Sequence, residues 1–379
     1  MSITLPAMLD ASILAPARPP DPRLGSVVNL DGFEAIARER MAPAAYDYVA
    51  GGAGGEEALA ENLAAWRRYS LRPRVLVDVS AIDLSTTLLG VPSALPVAIA
   101  PMAGQGMADP GAEVAMAIAA ADAGIPFTLS TMANRSVEDV ATAAPDGVRW
   151  FQLYVQRDRG LTRSLCERAA AAGYRGIVLT VDLPVLGIRE RERRHDFIFD
   201  LPLGNFPGGR DPELPGDPIH DAVDPRQPSL VWDDVATIRA WTGLPIVLKG
   251  ILTAEDAALA VAHGADAIVV SNHGARQLDR VGAPVDALEE VVAAVAGRAE
   301  VWVDGGVRRG VDVAVALALG ARGVLIGRPM FWALAAGGVA GVTPALAILR
   351  EDLEITFALL GAPRVGAITR AHVRQAPRP

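Results

Sequence analysis

The stretch LPIVLKGILTAEDAALAVAHGADAIVVSNHGARQLD, residues 244–279, decides the fold. A β-branched apolar run ends at Lys249, alanines and leucines at helical spacing follow from Thr253 to His263, and a second apolar run ends near Asn272. Strand, helix and strand in so short a span make a βαβ unit, and runs this continuously apolar belong to a parallel sheet buried on both faces.

The same alternation extends in both directions. Further strands are expected in LPVAIA near Ala100, PFTLS near Ser130, RWFQLY near Tyr154, GIVLTVD near Asp182, EVWVDGG near Asp304 and GVLIGR near Arg328. With the two strands above that makes eight, each followed by a helical stretch, which matches a closed (β/α)8 barrel of the α/β class. An open doubly wound sheet is the alternative. Residues 29–66 read as an N-terminal helical cap, and residues 1–28, broken by prolines, as a flexible extension; the rest, 29–379, forms a single domain. Residues 183–232, between the fourth strand and the next helix, are too many for a plain βα loop and rich in Pro, Gly, Asp and Arg. They are expected to form a lid over the barrel mouth, a solvated surface loop being the other reading.

Bulk properties narrow the function. Of the 379 residues 51% are hydrophobic, enough for a large core without metal or disulfide. Lys and Arg total 35 against 44 Asp and Glu, a formal net charge of −9 that argues against nucleic acid or anionic membrane as partners. No apolar run is long enough to span a bilayer, and the single cysteine, Cys166, suits a reducing compartment, so a cytoplasmic protein is expected. No paired His or Cys spacing points to a metal site.

In a (β/α)8 barrel the active site lies at the C-terminal ends of the strands. Here those ends supply, in chain order, Pro101, Met102 and Ala103; Ser130; Gln152 and Tyr154; Thr180 and Asp182; Lys249; Ser271 and His273; Asp304, Gly305 and Gly306; and Gly327 and Arg328. Polar groups at nearly every strand end imply a polar ligand across the mouth. VDGGVRRG, with Arg308, and LIGRP place glycines and arginines where barrels bind phosphate: glycine lets backbone N–H groups approach an anion, and arginine adds planar donors. Lys249, straight off an apolar strand, needs an anion or electron-rich partner. His273 differs from the other four histidines in standing at a strand end beside an arginine, Arg276.

Taken together, SNHGARQLD, VDGGVRRG, FQLYVQRDR, LTVDLPVLGIRERE and LPIVLKGILTAEDA resemble the FMN-dependent 2-hydroxy acid oxidase and dehydrogenase family, which includes glycolate and lactate oxidases, from about Leu30 to Val373. The resemblance implies FMN as cofactor, its phosphate held by Asp304 to Arg308 and by Gly327 and Arg328. Pro101, Met102, Ala103, Ser130, Gln152, Thr180, Lys249 and Ser271 would line the rest of the flavin. It implies a small (S)-2-hydroxy acid as substrate, its carboxylate gripped by Arg276, Arg189 and the Tyr48 hydroxyl, with Tyr154 at the substrate hydroxyl. His273 would be the base, Asp182 its charge partner, and Lys249 the cation that stabilises the reduced ring. O2 would accept the electrons, giving H2O2, and a homo-oligomer, a tetramer by analogy, is expected. Met102 and Met132 stand where glycolate oxidases carry threonine and tryptophan, so Met132 is a candidate pocket wall that admits longer side chains. The competing expectations are a dehydrogenase that reduces a quinone, cytochrome or carrier, a tailoring oxidase of a larger hydroxy acid or peptide, a flavin-dependent isomerase on the same scaffold, and a phosphate-binding barrel without catalysis.

Overall fold

The structure is a computed structural model that describes residues 18–198, 201–206 and 229–375. Eight parallel strands close into one barrel: β1 (Val97–Ile99), β2 (Phe127–Leu129), β3 (Arg149–Leu153), β4 (Ile177–Thr180), β5 (Ile246–Ile251), β6 (Ala267–Val270), β7 (Glu300–Val303) and β8 (Gly323–Ile326). The ring is completed where β8 pairs with β1, Val324 opposite Val97 and Ile326 opposite Ile99. All eight expected strands are present, and closure excludes the doubly wound sheet. Nearly every strand residue is buried, as continuously apolar strands require when helices cover the outside and side chains fill the inside.

The inside is a packed core. Trp150 of β3 and Trp302 of β7 stack with centroids 4.8 Å apart, among Val178, Val247 and Val269. Below them a hairpin, Thr86–Leu88 with Val91–Ser93, pushes Leu88 and Leu89 into the N-terminal end of the barrel. Glu300 fixes the plug, its Oε2 accepting from the Leu89 amide at 3.0 Å and from the Trp302 indole at 3.0 Å. Among the described residues this end is plugged by Leu88 and Leu89, and a cavity opens at the other. The hairpin strands are three residues each and the two-residue turn is Leu89–Gly90, both at positive φ, with a leucine where Asn or Asp would mark such a turn, which is why the sequence reading passes over it.

The cap is three helices rather than one continuous region, Gly32–Arg40, Pro43–Ala50 and Glu57–Ala64, with breaks at Ala42–Pro43 and at Gly51–Glu56. Proline at the first helical position and the glycines between account for both breaks. Of the expected flexible extension, residues 18–28 are docked: Pro22–Ser26 form a 3-10 turn and the Asp21 amide donates to Ala336 O at 2.9 Å. Residues 1–17 lie outside the described residues. The C-terminal stretch is likewise structured, Val373–Gln375 pairing antiparallel with Tyr69–Leu71. Of the 183–232 segment, residues 199–200 and 207–228 fall outside the described residues; the rest includes a short helix, Glu190–Arg194, and the segment 201–206. Among the described residues no helix is long and apolar enough to cross a membrane.

Candidate active site

One cavity occupies the C-terminal mouth of the barrel. Its wall includes Pro101, Met102 and Ala103 after β1; Ser130 and Met132 after β2; Tyr154 after β3; Thr180 on β4; and Lys249 on β5. His273 and Arg276 after β6, Asp304 to Arg308 after β7, and Gly327 and Arg328 after β8 continue it, while Tyr48 and Arg189 close it from the cap and from the 183–232 segment. Three expected residues stand behind this wall. Gln152 Nε2 donates to Thr180 Oγ1 at 3.1 Å, Ser271 Oγ accepts from Lys249 Nζ at 2.9 Å, and Asp182 Oδ1 lies 2.8 Å from His273 Nδ1.

His273 is presented by unusual backbone. His273, Gly274 and Ala275 have φ of +59°, +61° and +62°, a left-handed run in which two of the three residues carry a Cβ. Asn272 Oδ1 steadies it by accepting from the Ala275 amide at 2.9 Å, and Asn272 is itself paired with Asn62 of the cap. With the Asp182 carboxylate facing Nδ1, the ring proton belongs on that nitrogen, and Nε2 points its lone pair at the Tyr154 hydroxyl 3.2 Å away. Burial lowers the imidazole below its ordinary value by more than Asp182 raises it, so His273 is neutral near pH 7 and able to accept a proton. The expected consequence is a kcat/KM that stays level through neutrality and falls only at pH below the ordinary imidazole range. An acid limb centred at or above about 6.5 would contradict this protonation state.

Asp182 reaches His273 because β5 bulges between Lys249 and Ile251. Gly250, at φ +116°, forms the bulge, and a Cβ there would lie 2.5 Å from the Asp182 side chain. Lys249 Nζ is 3.2 Å from Asp304 Oδ2; burial alone would push the amine down, but Asp304 and Asp182 hold it above its ordinary value.

The cationic side of the cavity is held by Arg189, Arg276, Arg308 and Arg328. Arg328 donates only to backbone carbonyls, those of Val49, Gly274 and Gly51 at 2.8–3.0 Å, and among the described residues no carboxylate pairs with it. Burial, with repulsion from Arg276 and Arg308, pushes it down to about 9. A guanidinium left in that state calls for an anion. Gly306, φ +87°, lies so close to the cap that a Cβ would fall 1.9 Å from Asn62 O, and the Trp66 indole donates to Gly305 O at 2.9 Å. Asp304 Oδ1 is buried without a partner. A phosphate beside Arg308 and Arg328, with a hydroxylated chain along Asp304, satisfies each of these groups, so the donor set fits FMN.

Four residues that the sequence reading passes over complete the neighbourhood. Glu192 Oε1 lies 3.2 Å from Arg189 and 3.4 Å from Arg276, an internal carboxylate between two like charges. His195, one of the four histidines away from any strand end, has Nε2 2.7 Å from Asp47 Oδ2, Arg191 pairs with Glu56, and Phe197 stacks on Tyr48 at 4.8 Å. These contacts dock the Glu190–Arg194 helix on the cap. The one available signal is the i,i+3 spacing of Glu192 from Arg189 in a stretch dense with both charges. Cys166 is buried and its thiol pushed up to about 12 by that burial, so it is inert.

A sealed barrel with a phosphate-fitting mouth and a His–Asp pair facing two arginines defines a cofactor-dependent oxidoreductase of the (β/α)8 class. The model of the FMN-dependent dehydrogenase family matches residues 37–375, and the chain belongs to that family. It is 49% identical to an L-lactate oxidase of Nostoc sp. over 352 residues, covering 90% of this chain and 96% of that relative. It is also 49% identical to glycolate oxidase 1 of Oryza sativa subsp. indica, over 92% of this chain and 96% of that relative. Among solved structures, mandelate oxidase superposes with a TM-score of 0.85 at 41% identity, covering 93% of this chain and all of that one.

Proposed function

We propose that this protein oxidises an (S)-2-hydroxy monocarboxylic acid to the 2-oxo acid with O2 as electron acceptor, releasing H2O2. The observation that carries the reading is the neutral His273, its Nε2 turned toward Tyr154 in the same cavity that holds Arg189 and Arg276. The flavin phosphate would be held by Arg308, Arg328 and the backbone at Gly305, Gly306 and Gly327, and Pro101, Met102, Ala103, Ser130, Gln152, Thr180, Lys249, Ser271 and Asp304 would line the rest of the cofactor. FMN supplies the two-electron sink when bound. Arg189 and Arg276, helped by Tyr48, fix the substrate carboxylate in a planar grip. His273 accepts a proton at Nε2, and Asp182 stabilises the resulting imidazolium. Tyr154 orients the substrate hydroxyl, and Lys249, held charged by Asp304, would favour the reduced form of a bound flavin electrostatically.

Ala103 supports the oxidase over a dehydrogenase that passes electrons to a carrier, because oxygen-avoiding members of the resembled family often carry glycine there. The chain from about residue 29 acts as one FMN-binding barrel, with Leu183, Leu186 and Arg189 of the segment after β4 in the wall of its mouth. A cytoplasmic homo-oligomer, a tetramer by analogy, suits the lone buried thiol and the exposed apolar run Val75–Leu76–Val77, which lies next to exposed Leu359 where Arg74 bonds Leu360.

The test is the visible spectrum of the purified protein followed without oxygen through additions of lactate, glycolate, mandelate and longer 2-hydroxy acids, then opened to air. Bleaching by one acid and recovery in air are expected. A flavin that bleaches but stays reduced in air would move the acceptor to a carrier, and one that no hydroxy acid bleaches would overturn the substrate class. Met132, 1% exposed in the cavity wall, separates substrates. Met132→Trp is expected to lower kcat/KM for the bulkiest acid used by about tenfold or more while sparing glycolate, since pocket volume discriminates by roughly 10- to 200-fold per methylene.

A further inference from the structure

Glu113 is completely buried at the start of the helix Ala112–Asp122, and among the described residues no cation pairs with it. Its carboxylate is used on backbone instead. Oε1 accepts from the Gln105 amide at 3.3 Å and the Asn134 amide at 3.1 Å, and Oε2 from the Arg135 amide at 3.1 Å. One side chain thereby bridges the loop after β1, which carries Met102 and Ala103, to the loop after β2, which carries Met132. Asn134 adds a second bridge, its Oδ1 accepting from the Gly106 amide at 2.7 Å.

The β2 loop is also sewn to the segment 201–206. Asn205, fully buried, donates from Nδ2 to Ser130 O at 3.2 Å and Thr131 O at 3.0 Å, and its Oδ1 accepts from the Val137 amide at 3.0 Å. Asn134 Nδ2 donates to Pro202 O at 2.9 Å, and the Gly204 amide donates to Ala133 O at 2.9 Å. The approach is so close that a Cβ on Gly204 would lie 2.5 Å from the backbone of Arg135 and Ser136. Met132 sits inside this stitched loop and faces the cavity with Met102.

We propose that Glu113 and Asn205 are positioning residues that set the width of the pocket for the substrate side chain, by fixing the Met102 and Met132 loops against each other and against segment 201–206. The inference rests on the reading that this cavity takes a 2-hydroxy acid. Burying a carboxylate is costly, and burial pushes Glu113 up to about 7. A glutamine of the same shape could not accept all three amides, because its Nε2 is a donor. Holding both loops thus requires the carboxylate. Asn205 has no substitute either: alanine removes the donors to Ser130 O and Thr131 O, and aspartate turns them into repulsion.

The experiment compares FMN-loaded wild type with Asn205→Ala, Gly204→Ala and Glu113→Gln on straight-chain (S)-2-hydroxy acids from lactate to 2-hydroxyoctanoate, and with Asn205→Gln as the conservative variant. The variants are expected to keep the flavin spectrum and to hold kcat on the preferred acid within about twofold. The ratio of kcat/KM between the longest and the preferred acid should shift by about tenfold through KM. An unchanged ratio in Asn205→Ala and Gly204→Ala overturns the proposal, as does an equal fall of kcat for every acid. If Glu113→Gln yields no flavin-loaded protein, the other two decide, because both keep the Glu113 carboxylate and act on segment 201–206. Should wild type itself turn over none of the acids, the function reading fails. Titration of the flavin spectrum with straight-chain 2-oxo acids then reads the chain-length ratio in the same variants.

Discussion

His273→Ala is expected to purify yellow and FMN-loaded but to show a rate of flavin reduction by substrate lowered by about 10²- to 10⁴-fold. The cofactor survives because the groups that fit it are borne by other strands: Arg308 and Asp304 follow β7, Arg328 follows β8, and Lys249 lies on β5. The rate falls because Nε2 is the one neutral nitrogen base among the described residues of the cavity wall; Tyr154 beside it is pushed far up by burial and cannot replace it. Anaerobic stopped-flow at saturating substrate is the measurement. A variant that bleaches at the wild-type rate would remove His273 from the mechanism, and one that purifies colourless would instead place it in cofactor retention.

Arg276→Lys carries the second large effect, a rise in KM that lowers kcat/KM by roughly 10²-fold, or about 3 kcal/mol. The charge is kept and the geometry is lost. Arg276 spreads its guanidinium over the Tyr48 ring at 4.8 Å while donating to Tyr48 O, to Gly51 O at 3.2 Å and toward Glu192 at 3.4 Å. A lysine has no planar fork with which to hold the cap and a carboxylate at once. Steady-state kinetics separates the outcomes: loss confined to kcat would mean that the arginine acts on the chemical step and not on binding.

How much of this was legible depends on the range over which each signal acts. The barrel strands were readable because strands buried on both faces write themselves as apolar runs, and the residues capping those runs, from Met102 to Arg328, fell where the fold puts its site. His273 was singled out by its place after β6. The left-handed turn that aims it was not, since Ala275 gives no sign of positive φ. Glu192, Glu113 and Asn205 escaped for a different reason: each is an ordinary polar residue locally, and its meaning comes from partners such as Arg276, 84 residues away, or Ser130, 75 away. The cap was read as helical, yet the reciprocal pair Asn62–Asn272, which ties it to the turn that carries His273 across 210 residues, has no local trace.

The pairing of Val373–Gln375 with Tyr69–Leu71, together with the β8–β1 seam, bears on how the chain comes to exist at all. Both closures join an early segment to one made later, so during synthesis the ring stays open until β8 has left the ribosome and the outer seam until Val373–Gln375 follow. Until then the half-made barrel keeps the edge of β1 unpaired, and an unpaired apolar strand edge is prone to aggregation while it waits for its partner.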